Sequence, residues 1–435
     1  MSAIHYLDDV IHAQNRGQAL GMFCICSANP FVIEASFQHA LREDSSLLIE
    51  STCNQVNQFG GYTGLTPKQF AAYVEAIAEK LEFPPERLLL GGDHLGPYPW
   101  RAEPVQIAVG KSQELLRDYV KAGYVKIHLD ASMKCADDDP ERPLHKSVAA
   151  QRAATLAAVA EQTYQQMGSL GTAPRYVIGT EVPAPGGIED SNEQIMVTTV
   201  KDVQETIEIT GNAFVQQGLE SAWERVVAVV VQPGVEYGDV SILSYDRDKV
   251  AELTSFIEGY PNLVYEAHST DYQTHRALKE MVEDHFAILK VGPALTFAFR
   301  EAIFALAMME NELLVGSRAK NRSNLRDVLE KAMVENPVHW ESYYLGDDEY
   351  QKFARKYSFS DRSRYYWPDN SVKESLKTLL VNTGSRPLPI SLVSQFLPMQ
   401  YERIRSGDLI CTPQNIIMDK IDSVLKSYSD AVKGH

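Results

Sequence analysis

Short, nearly continuous apolar runs rich in β-branched residues recur along the first 290 residues. They lie at Leu20–Ser27, Leu47–Ser51, Leu88–His94, Tyr124–Asp130, Arg175–Val182, Arg225–Gln232, Leu263–His268 and His285–Val291. Between most of them the apolar positions fall at helical spacing, as in Pro67–Leu81, Ser112–Ala122 and Ser147–Thr163. Strands that are apolar throughout and alternate with amphipathic helices belong to a parallel sheet covered on both faces. Eight such units predict an α/β chain whose residues 1–296 form a (β/α)8 TIM barrel, with its active site at the C-terminal strand ends. After about residue 297 the pattern turns helical, at Phe297–Gly316, Leu325–Glu335, Ser371–Leu380 and Pro413–Ser429, with Asn382–Pro389 as a connecting loop. Residues 297–435 are therefore expected to be a helical extension packed on the barrel.

The polar residues collect where a barrel would use them. The apolar runs end in Ser27, Asn54/Gln55, Asp93/His94, His128/Asp130, Glu181, Gln232, His268 and Lys290. Burying such groups is costly unless the strand opens into a cleft. In GGDHLGPYPW, His94 can ligate a metal through neutral imidazole, and Asp93 can act as base or as the group that orients a ligand. The bland reading is a capping Asp and a packed His. Glu181 follows a buried strand and precedes the Gly186-Gly187 turn, whose N–H groups can bind an anion; an ordinary turn is the alternative. His268 is a candidate ligand. Ser269 and Asp271 after it can bind sugar hydroxyls or cap the next helix. Gly292, Ala294 and Thr296 open a helix and can present donors to a phosphate, or simply punctuate the turn. His128 and Asp130 share one side of their strand. Asp130 is placed to hold substrate or tune a metal, and the deeper His128 reads as a satisfied interior histidine. SDRSRYYWPDN (Ser360–Asn370) reads as an aromatic anchor for the helical region, with a lid over an anionic substrate as the alternative.

Composition narrows the classes. The chain has 435 residues, 44% of them hydrophobic and 23% charged, an ordinary globular balance. A net charge of −17 disfavours nucleic acid and anionic membranes, but a local pocket can still oppose that sign. No apolar run approaches the ~20 residues of a membrane span, and MSAIHYLDDV lacks the features of a signal peptide. Five cysteines without a CxxC pair suit a reducing cytoplasm. With neither GxxxxGK[ST] nor GxGxxG, nothing supports ATP or dinucleotide binding, so phosphoryl transfer from ATP is disfavoured.

The segments CICSANP, ESTCNQVNQFGGYTGLTP, LLGGDHLGPYPW, KIHLDASM, YVIGTEVPAPGG, VVVQPGVE, YEAHSTDYQT, HFAILKVGPALTFAFREAIFALA and DRSRYYWP together resemble the Z-type subunit family of D-tagatose-1,6-bisphosphate aldolase, over essentially the whole chain. That family has also carried a tagatose-6-phosphate kinase label, and some relatives are described as metal-dependent 4-epimerases of fructose 6-phosphate. It is similar in turn to the zinc-dependent class II aldolases. The resemblance implies a ketose phosphate substrate and a role in tagatose, galactitol or amino-sugar breakdown. It also implies a divalent metal (Zn, or Mn or Fe) and a separate catalytic aldolase subunit as partner; self-association is possible as well. Asp93 and His94 match the aldolases' base-plus-ligand pair, and Asp130 their carboxylate after the fourth strand. Glu181, Gly186 and Gly187 match their Glu and Gly-Gly turn, His268 their last metal histidine, and Gly292 to Thr296 their phosphate loop. Asn54, Gln55, Ser269 and Asp271 complete the expected substrate contacts. One departure stands out: the aldolases' further zinc histidine after the sixth strand is Gln232 here. Either the metal is lost, or Glu181 joins His94 and His268 with Gln232 as a weak fourth contact. The two roles open at this point are an accessory subunit and a stand-alone aldolase or 4-epimerase acting by C3–C4 cleavage.

Overall fold

The computed structural model describes residues 2–169, 171–179 and 196–434. Its centre is a closed barrel of eight parallel strands. They are β1 (Met22–Cys26), β2 (Leu47–Thr52), β3 (Leu88–Leu95), β4 (Lys126–Leu129), β5 (Arg175–Ile178), β6 (Val226–Val230), β7 (Val264–Ala267) and β8 (Ile288–Val291). Each pairs with its chain neighbours, and β8 pairs with β1 to close the ring, Met22 opposite Ile288 through Ile25 opposite Val291. This is the (β/α)8 architecture the apolar pattern predicts. Several strands are shorter than the pattern suggested: β4 stops at Leu129, although the Asp130 N–H still donates to the Leu95 carbonyl of β3.

Glycine decides how β3 fits. A Cβ on Gly91 would lie 2.6 Å from Glu50 Oε1, so only glycine lets the Glu50 side chain run into the barrel beside β3. A Cβ on Gly96 would sit on the Asp130 carbonyl oxygen, so this glycine lets the loop after β3 press against the end of β4. Between them the pairing of β3 with β4 slips from Gly92 to Leu95, and His94 takes a left-handed φ of 47°. The irregularity turns both Asp93 and His94 inward.

Two further elements finish the barrel. The helix Ala3–Gln14 lays Leu7, Val10 and Ile11 against Met22, Cys24, Leu48, Leu89 and Val177, and so covers the end of the barrel opposite the site. A long helix, Pro293–Leu313, starts directly after β8, so the textural change at residue 297 falls inside it. The last helix, Pro413–Val432, returns to pack against β1 and against the helices Pro30–Arg42, His275–Glu283 and Pro293–Leu313. Its Ile416, Ile417, Ile421 and Leu425 are fully buried, which ties the end of the chain to the barrel wall. A short 3₁₀ turn, Arg362–Tyr365, reaches over the barrel mouth.

Candidate active site and metal cluster

A cavity of about 110 Å³ opens at the C-terminal ends of the strands. Cys26, Thr52, Asp93, His268, Lys290 and Val291 reach it from strand ends, and Asn54, Gln55, Ser269, Asp271 and Gly292 from the loops beyond. Arg364 and Tyr365 of the 3₁₀ turn close it from above.

Asp93, His94 and His268 line the cavity floor with the fully buried His128 behind them, and the four each offer one donor atom, all within 4.8 Å of one another. The three imidazole centroids lie 4.9, 5.0 and 5.3 Å apart. Each ring is aimed by a carboxylate. His94 Nδ1 bonds Asp130 Oδ2 at 2.8 Å, which leaves its Nε2 for a metal. His268 bonds Glu266 Oε1 through Nε2 at 2.9 Å, leaving Nδ1. His128 bonds Asp93 Oδ1 through Nδ1 at 2.9 Å, and its buried Nε2 has no hydrogen-bond partner. His39 Nε2, away from the cavity, is unpartnered as well; what sets the His128 nitrogen apart is its place in a cluster with Asp93, His94 and His268, where a ligand can complete it. Burial pushes the His268 pKa down to about 3, so this ring is neutral, as a ligand must be.

Beneath the imidazoles lies a fully buried ionic lattice. Lys126 Nζ sits 2.6 Å from both Glu50 Oε1 and Glu266 Oε2. Lys290 bridges Glu50 and Asp93, the latter at 2.8 Å. Burial alone would raise the Asp93 pKa, but His94, Lys290 and the hydrogen bond from His128 outweigh it and hold the carboxyl well below its ordinary value. Asp130 and Glu266 are likewise depressed, against their burial, by His94 and Lys126 respectively. Lys290 stays an ammonium: its burial is overcome by Asp93, Cys26, Glu50 and Glu266. Glu50, Asp93, Asp130 and Glu266 face the ammonium groups of Lys126 and Lys290 and the His94 imidazole, whose pKa burial lowers but Asp93 and Asp130 raise on balance. This acid-rich surround, with the unpartnered His128 nitrogen, fits a divalent cation held by His94, His128 and His268, in place of the His94 proton, with Asp93 beside it.

The other expected residues divide. Asn54, Gln55 and Ser269 line the cavity. Asp130 stands behind His94, holding its ring while accepting from Ser132. Gln232 departs from the expected weak ligand: its Oε1 accepts from the N–H groups of Gly234 and Val235, so its carboxamide is spent on its own turn. The phosphate loop departs too. Asp271 Oδ1 accepts from the N–H of Gly292 at 3.0 Å and of Ala294 at 2.8 Å. Thr296 gives its hydroxyl to Asp361 at 2.6 Å. The donors meant for phosphate already hold carboxylates. Glu181, Gly186 and Gly187 lie outside the described residues. His128 stands in the cluster rather than in plain packing; its position one residue from Asp130 on the same side of β4 is the signal that would have found it. Glu236 went unnoticed in the sequence. It is fully buried on the short ribbon Glu236–Tyr237/Ile242–Leu243, its Oε2 has no hydrogen-bond partner, and burial lifts its pKa to about 7.

A closed parallel barrel with imidazoles and carboxylates gathered at its C-terminal mouth defines a TIM-barrel protein with a candidate metal site. The chain belongs to the D-tagatose-1,6-bisphosphate aldolase subunit GatZ/KbaZ-like family, whose profile matches residues 7–433. It is similar to a solved structure described as a "probable tagatose 6 phosphate kinase" from Sinorhizobium meliloti 1021, at 43% identity, TM-score 0.85, with 94% of this chain and 100% of that one covered. It shares its fold with the fructuronate-tagaturonate epimerase UxaE from Cohnella laeviribosi, at 9% identity, TM-score 0.52, with 96% and 82% covered. Among the described residues, no helix is long and apolar enough to cross a membrane.

Proposed function

We propose that this barrel holds a divalent metal, Zn before Mn or Fe, and performs retro-aldol chemistry at the C3–C4 bond of a ketose phosphate. The carrying observation is the convergence of three carboxylate-aimed imidazoles with Asp93 in one cluster at the cavity floor. Three imidazoles are a donor set that suits zinc and leaves a fourth position open, with Asp93 free beside it. A metal bound there supplies Lewis-acid polarisation of the ketose C2 carbonyl. The protein's share is positioning and proton transfer. Asp93 stays ionised and faces the cavity, placed to take the proton of a C4 hydroxyl. Lys290 beside it supplies positive charge where an alkoxide would form. Asn54, Gln55 and Ser269 offer amide and hydroxyl partners to the sugar, and Glu181 is a second candidate for the proton step. Release of the triose gives an aldolase; return of the triose on its opposite face gives a 4-epimerase.

A second reading keeps the chain as the accessory subunit of a catalytic aldolase in the cytoplasm. The family description and the withdrawal of Gln232 from the cavity favour it. The full chain purified alone decides between them, by metal analysis followed by assay on fructose 6-phosphate and tagatose 1,6-bisphosphate. Bound metal with turnover, lost in His94→Ala and His268→Ala, supports the enzyme. Absence of both metal and turnover, with activity appearing only when a catalytic subunit is added, supports the accessory role.

A further inference from the structure

The helical region contributes more than packing. We propose that Arg364 is the receptor for the anionic, phosphate end of the substrate, taking the place of the helix N-terminus after β8. This rests on the ketose phosphate reading above.

Three observations lead there. First, the helix start is closed to an added anion. The N–H groups of Gly292 and Ala294 are held by Asp271, and a phosphate approaching them would meet that carboxylate. Second, two lysine or arginine side chains line the cavity, and they are not equivalent. Lys290 is engaged by Glu50 and Asp93 in the floor. Arg364, in the roof, has no carboxylate within ion-pair distance among the described residues. Its recorded hydrogen bonds go to the carbonyl oxygens of Ser360 and Asp361 and to Tyr365 Oη. A guanidinium has five donors in a planar fork, so part of the fork remains for a ligand. Tyr62, Tyr237 and Tyr365 flank it, while Asp271 and Asp361 act on it only from beyond ion-pair distance; the Tyr62 and Tyr365 rings meet at 4.6 Å. A half-buried guanidinium with no carboxylate in direct contact has its strongest interaction still to make, and an anion completes it.

Third, the side chain is held in place. Asp361, at a left-handed φ of 43°, anchors the turn by accepting from Thr296 Oγ1 at 2.6 Å, Arg300 Nε at 3.0 Å and Ser363 Oγ at 2.8 Å. The Thr296 hydroxyl thus serves the anion site through Asp361 rather than by touching the anion. Arg364 also borders a neighbouring cavity of about 320 Å³, with Gln55 and Tyr62 in the shared wall, so a phosphate at Arg364 has room above the catalytic floor.

The test uses the full chain with metal added, and inorganic phosphate as the probe. Calorimetry should give saturable phosphate binding to the wild type, weakened at least 30-fold in Arg364→Met and partly restored in Arg364→Lys. The preference in kcat/KM for fructose 6-phosphate over fructose should fall about 100-fold in Arg364→Met. Near-ultraviolet circular dichroism matching the wild type shows that the variant is folded, and Asp361→Asn, which loosens the turn while leaving Arg364, should give an intermediate loss. Phosphate binding retained within threefold in a folded Arg364→Met overturns the assignment and leaves the ketose phosphate reading standing. A wild type that binds no phosphate and shows no preference for the phosphorylated sugar overturns that reading, and this inference with it.

Discussion

Lys126→Met tests how the ionic floor supports both fold and site. The ammonium lies 2.6 Å from one oxygen of Glu50 and of Glu266, and all three side chains are inaccessible to solvent. Methionine fills most of the volume, so the substitution removes charge more than packing. It leaves two carboxylates in the barrel core with only Lys290 near them, at 4.0 Å from Glu266. Removing one partner of a buried ion pair typically costs about 3–5 kcal/mol, because the remaining charge is uncompensated. We expect a loss of that size in urea unfolding followed by tryptophan fluorescence. The triple variant Lys126→Met/Glu50→Gln/Glu266→Gln should recover most of it, since it removes the stranded charges as well. The pH dependence has a definite sign. Glu266 is held below its ordinary 4.5 in the folded state, chiefly by Lys126 working against burial. Its stabilisation is complete above that value and is lost as pH falls toward the depressed one. The variant should therefore show a shallower acid loss. Metal content should fall too, because Glu266 aims the His268 ring. A cost under about 1 kcal/mol for Lys126→Met, or a triple variant no more stable than the single one, would refute the account.

Three other outcomes follow from the same geometry. Asp130→Ala should lower metal affinity about 10–100-fold while leaving the cluster's own donors in place, measured by competition with a chelating dye. Glu236 has its pKa raised from 4.5 to about 7 by burial, so its contribution to stability is full below pH 4.5 and is lost as pH rises through 7. Glu236→Gln should then gain about 3 kcal/mol relative to the wild type at pH 8 and almost nothing at pH 4, in urea titrations at the two values. Gly96→Ala should cost about 3 kcal/mol or more and lower metal occupancy, because the new methyl falls on the Asp130 carbonyl and must push β3 from β4. Ordinary stability and metal content in that variant would show that the close approach is dispensable.

The barrel was legible because its signal is repeated and local. Eight apolar runs, each followed by helical spacing, leave few architectures for burying both faces of a sheet. Asp93, His94 and His268 were legible for a related reason: an ionisable group at the end of an apolar strand needs a cleft. His128 was misjudged because alternation along a strand gives the side a residue faces, not which of its nitrogens lacks a partner. The Ala3–Gln14 helix escaped notice, since its apolar face has meaning only against the barrel end it covers.

What the sequence determined by itself was the layering and the residue types at the strand ends, because these follow from the 2.0 and 3.6 periodicities and the cost of burying charge. What only the tertiary structure decided was which polar groups spend their bonds on each other. Gln232 and Asp271 have the right chemistry for a ligand, but Gln232 accepts from its own turn and Asp271 from the N–H groups after β8, whereas Arg364, some 70 residues past β8, arrives over the mouth through the Asp361 anchor. Hydrogen-bond partners depend on distances of a few tenths of an ångström between segments far apart in the chain, and no local pattern encodes those.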